Sequence, residues 1–116
     1  MDVATLADSD DVTIPAVAVA EYLAGTLLDS DPERAAAQRA FLDEVLDVVP
    51  VLAYDRAVAG HHASLLAHVH RIGSKRGVHD LIIAATARAV ERTVLTTDER
   101  ARFGELPEVT ARTLSS

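Results

Sequence analysis

The sequence predicts an α/β fold in which a mainly parallel sheet carries helices on both faces. Three observations predict it. Short β-branched runs alternate with longer stretches of helical apolar spacing along the chain. Strands separated by helices need crossover connections, and these join parallel neighbours. Aromatics are 3% of the 116 residues, so the interior must be built mainly from Ala, Val, Leu and Ile. This length fits a single domain over residues 1–116, with enough chain for one core and too little for two.

Met1 to Asp11 is polar and acidic and reads as a weak helix or a loop. Asp11-Val12-Thr13-Ile14 is β-branched and reads as a strand stopped by Pro15, which suits a helix opening. Ala16 to Leu28 has apolar residues at 16, 17, 19, 20, 23, 24, 27 and 28, the spacing of a helix with a broad buried face, interrupted by Glu21. Ser30 or Asp31 can cap the next helix, with Pro32 at its first position and Glu33 at its positive end. That helix runs to about Val48, with Ala36, Ala37, Ala40, Phe41, Val45 and Val48 as its expected inner stripe. Pro50 to Tyr54 follows as a second strand. Asp55 caps a helix to about Ile72 that carries His61, His62, His68 and His70, most of them on its outer face. Gly73 to Gly77 makes a basic loop, and Asp80 to Val90 is a helix capped by Asp80. Thr93 to Thr97 is the third strand, with Asp98 directly after it. Asp98 to Phe103 reads as a helical turn, Gly104 to Glu108 as a loop, and Val109 to Leu114 as a fourth strand.

Composition narrows the function. With no Cys, disulfides, thiolate zinc sites and Cys nucleophiles are excluded, and a cytoplasmic location is compatible. A net charge of -7 argues against charge-driven, non-specific binding of nucleic acid. It leaves a metal-dependent nuclease open, because acidic residues gathered around divalent ions have their local field reversed when the ions bind. No apolar run approaches the ~20 residues of a membrane span, and the first residues lack a signal peptide's basic and apolar regions. Neither Gly-rich phosphate loop, nor G-x-S-x-G, nor H-E-x-x-H occurs.

The remaining ligand-type residues are the histidines and three carboxylates. The four helix histidines with His79-Asp80 suggest a histidine and aspartate metal phosphohydrolase, but that class is all-helical, and the strand signals oppose it. Glu21, Asp80 and Asp98 form a candidate acidic cluster. Each also has an ordinary reading: Asp80 and Asp98 as helix caps, Glu21 as an exposed position on an amphipathic helix. Glu21 favours the cluster, because its helical neighbours Val17, Ala18, Ala24 and Gly25 offer no basic partner. Asp98 does so too, because ligand sites in parallel sheets lie beyond the carboxyl ends of the strands.

Three segments in register resemble the PIN-domain ribonucleases, most closely the VapC-like toxins of type II toxin-antitoxin pairs. They are Ile14 to Gly25 around Glu21, His79 to Ala87 around Asp80, and Val94 to Asp98 with Phe103 and Leu106 to Val109. The resemblance implies a three-layer α/β/α PIN-like fold over nearly the whole chain. It implies an endoribonuclease in which Glu21, Asp80 and Asp98 hold Mg²⁺ or Mn²⁺, with Thr97 positioning a ligand or water and Lys75 and Arg76 contacting RNA phosphate. It also implies a cognate antitoxin as partner and a homodimer, while the lack of a long apolar run argues for no membrane association. The sequence departs from the family at its start. The family's first, central strand, ending in Asp followed by Ser or Thr, is expected to be missing here. This keeps open an alternative, a truncated, non-catalytic PIN-fold protein that acts as a binding module.

Overall fold

The computed structural model describes residues 11–74, 76–96, 106 and 108–113. The predicted weak helix or loop before Asp11 and the predicted turn after Asp98 lie outside these residues. Among the described residues, four strands and four helices follow in the order β1 (Val12–Pro15), α1 (Ala16–Leu28), α2 (Pro32–Val48), β2 (Val51–Leu52), α3 (Arg56–Arg71), α4 (Val78–Val90), β3 (Thr93–Thr96) and β4 (Ala111–Thr113). The sheet order is β2-β1-β3-β4 and every pair is parallel, as the alternation of strands and helices requires. Among the described residues β1 and β3 are direct neighbours at the centre, with Val12 opposite Thr93 and Thr13 opposite Val94. Both strands are buried along their whole length. Their runs are therefore continuously apolar or β-branched instead of alternating.

Local chemistry fixes the helix ends. Pro15 closes β1 in an extended conformation and opens α1. Asp31 accepts hydrogen bonds from the backbone N–H groups of Glu33 (3.0 Å) and Arg34 (3.3 Å), with Pro32 in the first position of α2. Asp55 does the same for α3 through the N–H of Val58 at 2.9 Å. One expected cap is displaced: α4 begins at Val78 with Gly77 at its cap, so Asp80 stands inside the first turn.

The core joins β1 and β3 to Leu42, Val45, Leu65, Leu81 and Ile83. Three helix faces differ from expectation. In α2 the buried residues are Leu42 and Val45, whereas Ala36, Ala37, Ala40 and Val48 are exposed. Leucine has more area to bury than alanine, so it sets the face. In α1 the buried residues are Ala18 and Thr26, and Leu27 and Leu28 at its end are 85% exposed. Of the four histidines of α3, His70 is exposed, and His61, His62 and His68 are half-buried. His62 Nδ1 pairs with the Tyr54 hydroxyl at 2.8 Å. No helix among the described residues is long and apolar enough to cross a membrane.

Candidate functional site

Two of the predicted carboxylates meet at one end of the molecule. α4 connects to β3 through two residues and runs back along the sheet, so its first turn stands near the carboxyl ends of the strands. α1 starts at that same end, directly after β1, and packs against α4. Glu21, one and a half turns into α1, and Asp80, in the first turn of α4, line a single open cleft of about 350 Å³ with Gly77, Val78 and His79.

Each carboxylate is held differently. Glu21 Oε1 lies 2.9 Å from Nδ1 of His79, and the Glu21 side chain is 26% exposed. The basic partner that α1 could not supply thus comes from α4. Asp80 is half-buried, with its carboxylate against the backbone of Gly77. The positive end of the α4 helix dipole favours negative charge here, which offsets part of the repulsion between the two acids.

Asp98, Thr97 and Lys75 lie outside the described residues. Arg76 is half-buried immediately before Gly77, one residue upstream of the cleft lining. Among the described residues no three His, Asp or Glu side chains converge closely enough to hold a metal ion. Glu21 and Asp80 nevertheless supply the oxygen donors that hard divalent cations prefer, so the donor chemistry fits Mg²⁺ or Mn²⁺ through two ligands. The helix histidines are not part of this site. His61 lines a second cavity, of about 480 Å³, with Arg88, Arg92 and Glu108, beside the Arg88–Glu108 ion pair at 3.2 Å.

His79 is the residue the sequence reading missed as a partner of Glu21. Its position one residue before Asp80 was visible, but the pairing depends on how two distant helices cross.

Comparison with known proteins places this geometry. Residues 2–108 match the PIN domain. Among solved structures, the chain is similar to VapBC2 from Rickettsia felis bound to a DNA fragment from their promoter, with 20% identity and a TM-score of 0.75 over 97% of this chain and 81% of that one. It is similar to DNA-bound VapBC from Salmonella typhimurium, with 26% identity and a TM-score of 0.69 over 87% and 74%. It is also similar to VapBC-5 from Mycobacterium tuberculosis, a member of the VapBC family of toxin-antitoxin systems, with 20% identity and a TM-score of 0.67 over 91% and 99%. No significant match was found among curated proteins. The domain match covers nearly the whole sequence, and the three structural likenesses follow the same fold. The chain belongs to the PIN-domain family.

Proposed function

We propose that this protein is a VapC-like endoribonuclease toxin that hydrolyses RNA phosphodiester bonds with Mg²⁺ or Mn²⁺ and is neutralised by a cognate antitoxin. One observation carries the reading: Glu21 and Asp80, from separate helices of a PIN domain, open onto one cleft. Asp98, which follows β3 in sequence, is the third ligand in this proposal. When bound, the ions supply an activated water and stabilise charge on the phosphate and leaving oxygen. The chain's part is to hold Glu21 and Asp80 on two packed helices, so that the donors are in place before substrate arrives. Thr97 positions a ligand or water, and Lys75 and Arg76, just upstream of α4, take RNA phosphate. The VapBC likenesses support an antitoxin partner, whose basic residue would pair with the acidic cleft. A homodimer and a cytoplasmic location complete the reading.

The test is RNA cleavage in Mn²⁺ by the wild type, Asp80→Asn and Glu21→Gln, with folding checked by circular dichroism. Each variant is expected to lose about 100-fold or more in rate. Wild-type cleavage by Asp80→Asn would end the nuclease assignment.

A second reading is a PIN-fold module that acts by binding alone. The paired carboxylates Glu21 and Asp80 on an open cleft would also suit a site that binds without cleaving. A folded wild-type chain that leaves RNA intact in Mn²⁺ and Mg²⁺ but still binds an antitoxin would establish it.

A further inference from the structure

We infer that His79 is a positioning residue for Glu21, fixing one carboxylate oxygen so that the other is presented to a divalent cation. The inference rests on the metal-site reading above and extends it to a residue that is not a ligand.

A carboxylate only accepts hydrogen bonds, so at 2.9 Å Nδ1 of His79 donates to Oε1 of Glu21. That leaves Oε2 as the oxygen without this tie. A glutamate on a helix has several rotatable bonds, and only a minority of its rotamers keep the carboxylate in the cleft. A hydrogen bond from the facing helix selects among them. His79 is 62% exposed, so core packing does not account for the contact. In the proposed site the ligands are Glu21, Asp80 and Asp98, and Nδ1 of His79 is engaged by Glu21.

Its place in the chain adds a coupling. His79 and Asp80 are consecutive residues in the first turn of α4. The turn that carries one oxygen donor therefore also aims the other, and α1 and α4 are registered to each other through a polar contact at the cleft itself. Partners that orient metal-binding side chains in this way typically change metal affinity by about 10–100-fold when removed.

The experiment has a metal-free arm and a metal arm. In ¹⁵N-labelled protein without metal, the His79 ring is expected to show a protonated Nδ1 whose resonance moves in Glu21→Gln. An unchanged ring signal would overturn the inference alone. Calorimetric titration with Mn²⁺ then compares wild type, His79→Ala and His79→Asn, the last placing an amide N–H near the position of Nδ1. Expected are about a 10-fold loss of affinity in His79→Ala and recovery to about twofold of wild type in His79→Asn. Equal or tighter binding by a folded His79→Ala would overturn the positioning role and leave the metal site standing. A wild type that binds no Mn²⁺ would overturn both.

Discussion

Asp80 lies so close to Gly77 that a β-carbon at residue 77 would stand 3.3 Å from its Oδ2 and 3.7 Å from its Cγ. The backbone of Gly77 is in an ordinary extended conformation, φ -64°, so glycine here serves the approach of a side chain and not an unusual dihedral. In Gly77→Ala the Asp80 carboxylate must yield by a few tenths of an ångström. The lost helix cap and the stiffer unfolded chain oppose each other, so stability is expected to stay within about 1 kcal/mol. Mn²⁺ affinity should fall, and calorimetry beside urea denaturation separates the two effects. An undiminished affinity would mean that the position of Asp80 does not matter to the ion.

A pH effect is expected at the turn before α2. Arg34 holds Asp29 through two hydrogen bonds of 2.6 Å, and the Asp31 N–H adds a third at 2.9 Å. Together they hold the Asp29 carboxyl below its usual value of 3.8, with the Arg34 side chain as the largest cause. Because the folded pKa is depressed, the contribution is complete above the ordinary carboxyl range and is lost as pH falls through the lowered folded value. An NMR titration of Asp29 in Arg34→Met should show its midpoint rise toward 3.8. Arg34 is exposed, so the effect on stability should be small and should shrink with salt.

Core and surface leucines should separate cleanly. Leu65 is fully buried and Leu27 is 85% exposed. Leu65→Ala is expected to cost about 2–5 kcal/mol through lost contacts and a cavity. Leu27→Ser should stay within about 0.5 kcal/mol. Denaturant midpoints measure both, and a large loss in Leu27→Ser would show that this residue is covered in solution.

Glu91 ends α4 in the left-handed region, φ 54° and ψ 37°. A side chain there costs about 1 kcal/mol that glycine avoids. Glu91→Gly is therefore expected to raise stability by up to about 1 kcal/mol, read as a higher midpoint with an unchanged denaturant slope.

Legibility followed the strength of local signals. The extents of α1 and α2 could be read because Pro15, Asp31 and Pro32 mark their starts. Parallel pairing followed from the alternation of strands and helices. The inner faces were harder to read. α1 is apolar on most sides, and the alanines of α2 give little contrast, so tertiary packing and not periodicity put Ala18, Leu42 and Val45 inside. Asp80 looked like a cap because aspartate is a strong capping residue, but Gly77 takes that place and moves the carboxylate into the first turn. For the site, the segments around Glu21 and Asp80 stood out in the sequence, and the structure brings both onto one cleft. The His79 contact was not legible, since no local spacing encodes the crossing of α1 and α4.

The central pairing of the sheet has a temporal side. Thr13 Oγ1 donates to Thr93 O at 3.4 Å across 80 positions of sequence. At ~5–20 residues per second of translation, β1 leaves the ribosome ~4–16 s before its β3 partner exists. During that interval the buried, β-branched run Val12-Thr13-Ile14 has no β3 edge to bond, and such long-range parallel pairing is intrinsically slow. Glu21 likewise emerges long before the helix that carries His79 and Asp80. The nascent chain can assemble its acidic cleft only once α4 has followed α1 out of the ribosome.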